Sequence, residues 1–369
     1  MNALAAGNNV SASALNIHAG PRALAHLRRE GLRPHDVRVI AGAAGGPKGL
    51  VLGGIDRFVF GRWLPQSTQP VHLVGASIGA WRMATGAMAD PVTHFDELAH
   101  GYVHQNYDVE PGKTFPTPAQ ISKDFDATLR GFFAGHVEQI LAHPRFRLHI
   151  VTSRGRHILG REGRLRTPAG YLGAALSNAV SRKTLGAWLE RVVFSRDGEP
   201  PPLDLGDLRH RVVHLTDANF RQALLASCSI PFVLKAVHDI PGAPPGAYWD
   251  GGITDYHLHW NYASMSDGLV LYPHFQKQVV PGWLDKALKR RHHATPALDN
   301  VVVLAPDPAW VAATLPNAKL PDRTDFKRYG TDLAARVRDW SRAVAESERL
   351  AEEFAAWCER PDPARLQPL

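Results

Sequence analysis

The stretch Val71–Arg82, VHLVGASIGAWR, limits what this chain can fold into more than any other. Val71, Leu73 and Val74 form a short β-branched run that reads as a buried strand. The run ends in Gly75-Ala76-Ser77-Ile78-Gly79, and Ala80–Met88 then reads as a helix. A strand, a sharp turn and a helix with serine at the apex is the G-x-S-x-G elbow, which lifts a hydroxyl above the edge of a sheet. Gly75 and Gly79 keep the neighbouring backbone clear of it. The helix start lends Ser77 the positive end of a dipole, which favours a developing anion. A chain with 32 glycines can match this pattern by chance, so its weight comes from what surrounds it.

The order of elements around the elbow is strand, helix, strand, helix. Pro21–Glu30 reads as a helix, Val37–Ile40 as a strand, Gly42–Gly49 as a small-residue loop and Leu50–Trp63 as the next helix. That alternation predicts an α/β fold, a three-layer sandwich with a parallel-rich central sheet between helices and right-handed crossovers. Further strands are expected at Phe146–Thr152, Arg211–Leu215, Leu269–Tyr272 and Val301–Leu304. Residues 91–136 read as helical with a break at Pro111–Pro118. Gly160–Pro202 reads as an insertion, and Asp332–Glu359 as one long amphipathic helix.

The 369 residues, 44% hydrophobic and 21% charged, suffice for a substantial core. Cys228 and Cys358 cannot make a disulfide framework, which suits a reducing compartment. The first residues carry no Lys or Arg before Arg22 and no compact apolar stretch, unlike a secretory signal. With no run of 18 apolar residues, no spanning helix is expected and a cytoplasmic location is. The net charge of +7 favours anionic partners or simply aids solubility.

Two other stretches could supply chemistry. Gly42-Ala43-Ala44-Gly45-Gly46-Pro47-Lys48-Gly49 resembles a phosphate loop but fails on spacing: Pro47 precedes Lys48 and Gly49 follows it, and Ala44 sits two after Gly42. Such a loop can instead aim backbone N–H groups at an oxyanion. Pro47 has none, so the donors would be Gly45, Gly46 and Lys48. In Tyr248-Trp249-Asp250-Gly251-Gly252 an acid flanked by aromatics precedes two glycines. Partial burial there would raise its pKa and make it a better base. A plain βα turn and an Asp-Gly hairpin turn are the alternative readings of these two stretches.

Together, and in this order, the motifs resemble the patatin-like phospholipase (lipid acyl hydrolase) family over roughly residues 36–275. The resemblance rests on Gly45-Gly46-Pro47-Lys48-Gly49, Gly75-Ala76-Ser77-Ile78-Gly79 and Asp250-Gly251-Gly252. It also rests on the small-residue segment Ala226-Ser227-Cys228-Ser229-Ile230-Pro231-Phe232. It implies a patatin-like catalytic domain at 21–275, between a loose N-terminal arm at 1–20 and a helical C-terminal extension at 276–369. It implies Ser77 as nucleophile, Asp250 as base of a two-residue dyad and the Gly45–Gly46 loop as oxyanion hole. The substrate would be a lipid or other fatty acyl ester, and the scheme requires no cofactor and no metal. Ala44, Trp81-Arg82 and Asp255-Tyr256-His257 depart from the family pattern and leave the substrate open.

The rival readings are an esterase with a Ser-His-Asp triad, using His274 or His292, and a silent lipid- or polymer-surface binding protein. His257 and His259 lack a third well-spaced ligand for a metal. No nucleic-acid motif accompanies the basic residues. Lys286, Lys289, Arg290 and Arg291, opposite Trp283, Leu284 and Leu288, form an amphipathic stretch that could lie on an anionic membrane surface.

Overall fold

The computed structural model describes residues 13–107 and 116–369. Most of the N-terminal arm and the Pro111–Phe115 part of the expected break lie outside the described residues. The strands are β1 (Leu15–Ala19), β2 (Val37–Gly42), β3 (Val71–Ala76), β4 (Phe146–Gly155), β5 (Leu189–Ser195), β6 (His210–His214), β7 (Val237–His238), β8 (Ala247–Asp250), β9 (Leu269–Pro273), β10 (Val301–Pro306) and β11 (Leu366–Pro368). They form one sheet in the order β11-β1-β10-β9-β2-β3-β4-β5-β6, with β8 pairing both β4 and β7. The five strands from β10 to β4 run parallel.

Helices cover both faces, and the strand sequences follow from that. Ile40, Leu73, Leu148 and Ile150 point into the larger core on one face, whereas Val39, Val74, Val151 and Val270 point into the core on the other. A strand buried on both sides needs an apolar run rather than an alternating one; β9 and β10 have it, while Arg38, His72, Arg147 and His149 interrupt β2, β3 and β4. The fold is the expected three-layer α/β arrangement around a mixed, mostly parallel sheet.

Several elements differ from the sequence expectation. The described part of the arm is not loose: β1 pairs antiparallel with β10, with Leu15 and Ile17 buried. Residues 276–369, expected as a helical extension packed on the domain, also carry β10 and β11, which complete the same sheet. The supposed insertion at Gly160–Pro202 holds the helix Arg166–Val180 and the sheet strand β5. The expected long C-terminal helix is two, Leu333–Glu346 and Glu348–Glu359, parted at Ser347, whose hydroxyl donates to the Val344 carbonyl. The basic stretch Pro281–His293 is no amphipathic helix but two single turns. Buried Asp285 draws that stretch inward by accepting hydrogen bonds from Asn178, Arg182 and Arg291. No helix among the described residues is long and apolar enough to cross a membrane.

Candidate active site

The site arises where two strands meet head to head along one edge of β4. β3 runs parallel to β4 up to the pair Ala76–Val151, and β8 runs antiparallel to it and ends at the pair Asp250–Thr152. The chain ends of β3 and β8 therefore abut. Ser77, one residue past β3, comes to face Asp250, the last residue of β8. Its hydroxyl donates to Asp250 Oδ2 at 2.9 Å. Asp250 thus sits on an antiparallel strand, not at the carboxyl end of a parallel one, and it is buried rather than an exposed edge residue.

The turn is tight. Ser77 has φ 56° and ψ −129°, a conformation that non-glycine residues seldom adopt and that here aims the side chain off the sheet. A Cβ on Gly79 would lie 1.9 Å from the Gly42 carbonyl oxygen, and one on Gly75 would lie 2.4 Å from the Ala80 nitrogen. Both positions require glycine. Behind the turn, Arg82 grips Asp56 through two bonds of 2.6 and 2.7 Å. Trp81 packs among Phe125, Phe132 and Phe133. These two unusual residues after the elbow are thereby accounted for as anchors of its helix.

Ser227 ties the pieces together, a role the sequence did not reveal although its segment stood out. The Ser77 N–H donates to Ser227 Oγ at 2.9 Å, and that hydroxyl donates to the Val151 carbonyl at 2.6 Å. The Asp250 and Gly251 N–H groups donate to the Ser229 and Ser227 carbonyls. Asp250 Oδ1 accepts from the Gly252 N–H at 2.7 Å, which fixes the carboxylate. Burial raises the Asp250 pKa, while Arg323, the Ser77 hydroxyl, the Gly252 amide and Lys286 pull it back down. The neighbouring Cys228 thiol is pushed up by burial and by Asp250, so it stays protonated and offers no competing thiolate.

The Gly42–Gly49 loop follows β2, beside the end of β3. The Ala44 N–H donates to the Tyr256 carbonyl at 2.9 Å and holds the loop in place. Gly45 has no room for a side chain, since a Cβ would lie 2.4 Å from the Phe275 ring, and Gly46 has φ 58°. Among the described residues no acceptor takes the Gly45 or Gly46 N–H. The Lys48 ammonium sits 5.0 Å from the Phe275 ring centre, and burial lowers its pKa.

A cavity of about 200 Å³ opens on this constellation, lined by Gly45, Lys48, Asp250, Tyr256, Lys286 and Arg323 among others. Lys286, in the stretch that could face a membrane, turns its ammonium to the Tyr256 ring at 3.9 Å. Burial, then Arg323 and Lys48, brings its pKa down to about 8. Arg323 gave no sequence signal; it sits with Lys319, Lys327 and Arg328 in a polar stretch far from every motif. Among the described residues Lys48, Lys286 and Arg323 form no ion pair.

The histidines stand elsewhere. His274 is buried against Gln276 and His257, and His292 bonds the Asp285 carbonyl. His257 meets the backbone of Gln278 and Val280, and His259 meets Thr295. The described residues contain no cluster of three or more metal-ligating side chains. Asp255 is structural: it is buried against Arg191, whose Nε donates to it at 2.8 Å, and accepts from the Trp260 indole.

A family model for patatin-like phospholipases matches residues 40–257. The chain belongs to that family. The matched span of this patatin-like protein includes the Gly45–Gly46 loop, Ser77, Ser227 and Asp250, whereas Lys286 and Arg323 lie beyond it. Membership supports lipid acyl hydrolase activity in general, on ester bonds of a lipid substrate. No curated protein matches the chain.

Proposed function

We propose that this patatin-like protein is a serine acyl hydrolase working through Ser77 and Asp250, on lipid-like esters that carry an anionic group. The observation that carries the reading is the 2.9 Å bond from the Ser77 hydroxyl to Asp250, a residue that lines a cavity. Asp250 takes the hydroxyl proton as Ser77 Oγ attacks the ester carbonyl carbon. The oxyanion forms against the Gly45, Gly46 and Lys48 N–H groups. The alkoxide leaves with the proton from Asp250, and the acyl group stays on Ser77. Water, deprotonated by Asp250, then adds to the acyl-enzyme, and the carboxylic acid departs as Ser77 regains its proton. The tetrahedral charge would also feel Lys48, Lys286 and Arg323, three cations without an ion-pair partner among the described residues. A phosphate or carboxylate near the scissile ester would satisfy them. We assign the enzyme to the cytoplasm, peripheral to a membrane, where its two cysteines stay free.

The test is fatty acid release from an anionic phospholipid, a neutral acylglycerol and a short soluble ester. Wild type should cleave all three and favour the anionic one, and Ser77→Ala should abolish all release. Arg323→Gln should raise KM for the anionic ester about tenfold, the worth of one charged contact, and spare the neutral soluble ester. Release that persists in Ser77→Ala would overturn the reading.

A further inference from the structure

The helix Arg166–Val180 is inside out. Its buried stripe is small or polar: Thr167, Gly170, Ala174 and Asn178, with Tyr171 the one large member. Its leucines face the other way. Leu172 is 62% exposed and Leu176 64%, Val180 is 82% exposed, and Leu165 just before the helix is 84% exposed. The spacing 165, 172, 176, 180 sets all four on one face. Ile158 touches the same helix at Gly170, and Phe232, with Val233 after it, packs edge-on to Tyr171 at 6.0 Å. Seven of the eight large apolar side chains exposed among the described residues thus gather at this helix, the eighth being Val92. Scattered exposed leucines need no explanation, but a contiguous patch of them does.

Through Tyr171 and Phe232 the buried side of the helix leads to the cavity lined by Asp250. Ile230 and Pro231 line that cavity and lead directly into Phe232, which is held at φ 70°, a backbone conformation seldom adopted by a bulky residue. Tyr171 lies close enough to Asp250 for its hydroxyl to feel that charge. Exposed cations rim the patch at both ends. Arg161, Arg164 and Arg166 stand at the helix start, where the helix dipole disfavours them. Lys183 and Arg290 stand at the other end, with Arg290 donating to the Ala179 carbonyl at 2.6 Å. The nearest acid of the rim, Glu162, is engaged by Lys235.

We propose that this leucine face is the surface by which the protein seats on an anionic lipid bilayer. Charge complementarity selects that occupant. An apolar stripe with cations at both ends and no free acid matches acyl chains flanked by anionic headgroups. A second copy docked by the same face would bring like charges together around the two-fold axis. The purpose of the surface rests on the acyl hydrolase reading, but its existence does not.

The test compares wild type, Leu172→Asp/Leu176→Asp and, separately, Arg164→Gln/Lys183→Gln. Each is sedimented with vesicles of phosphatidylglycerol and phosphatidylcholine, and each is assayed on a short soluble ester. Both variants change exposed side chains, so thermal unfolding should match wild type. The leucine variant should lose vesicle binding about tenfold or more, as expected for removing an inserted apolar face. The charge variant should lose the preference for phosphatidylglycerol. Both should keep soluble-ester turnover. Full vesicle binding by the folded leucine variant would overturn the proposal, as would a wild-type dimer that this variant dissolves. If no ester is cleaved by any form while binding still depends on the leucines, the surface stands and the acyl hydrolase reading falls.

Discussion

Asp250 and Lys286 face one cavity with opposite needs for protons. Asp250 must be ionised to accept the Ser77 proton, and burial has raised its pKa above the ordinary carboxylate range. Turnover should therefore climb with pH through a limb above that range. Lys286 must be protonated to hold an anion, and its pKa is down at about 8. Its charge is present below that value and lost above it. For an anionic ester the profile of kcat/KM should thus be a bell, with an alkaline limb near 8 that reports the free enzyme. Lys286→Arg keeps the charge at all these pH values and should shift that limb upward while leaving the acid limb in place. An alkaline limb that does not move would remove Lys286 from substrate binding. Ser77 and Asp250 were legible as single residues because each sits in turn chemistry, glycines at fixed offsets, that few other contexts require. Ser227 and Arg323 were not, because a serine in a small-residue helix end and an arginine in a polar loop look the same whether or not they meet a site.

The elements that carry the site are held by buried pairs rather than by propensity. The elbow helix Ile78–Gly86 has little amphipathic character, since all its residues are buried. What orients it is Arg82 against Asp56, 2% and 1% exposed, with the guanidinium bonded to both carboxylate oxygens. Removing one partner of such a pair strands the other charge in the core and costs about 3–5 kcal/mol. Arg82→Met should lower stability by that amount in urea unfolding, and Arg82→Met/Asp56→Leu should recover most of it. If the single variant is as stable as wild type, the pair does not hold the elbow. The same kind of pair explains why β5 was hidden in the sequence. Its Glu190 and Arg191 read as surface residues, yet both are buried, Arg191 against Asp255 and Glu190 against Arg154. The uniformly apolar β9 and β10, and β2 and β3, apolar but for Arg38 and His72, were legible; a strand whose polar residues find partners from distant segments was not.

Across the whole molecule, one sheet joins the two ends of the described chain. β1 and β11 lie side by side at its edge, so β1, before residue 21, and β10 and β11, after residue 275, belong to the same sheet as the elbow. The α/β architecture was legible from the alternation of strands and helices in the first hundred residues. The closing of the sheet was not, because the pairing of β1 with β11 spans nearly the full chain and no local pattern announces it. The same long-range closure lets Lys286 and Arg323 reach the cavity from outside the span shared with the family. Under the proposed function, this assembled site makes Ser77 a nucleophile through Asp250. That role is tested most directly by reaction with a serine-directed phosphonate, followed by intact-protein mass and peptide mapping in wild type and in folded Asp250→Asn. One adduct per chain is expected, at Ser77, forming ~10²–10⁴-fold more slowly in Asp250→Asn, the usual worth of a positioned base. An adduct on another residue, or an undiminished rate at Ser77 in Asp250→Asn, would contradict that role.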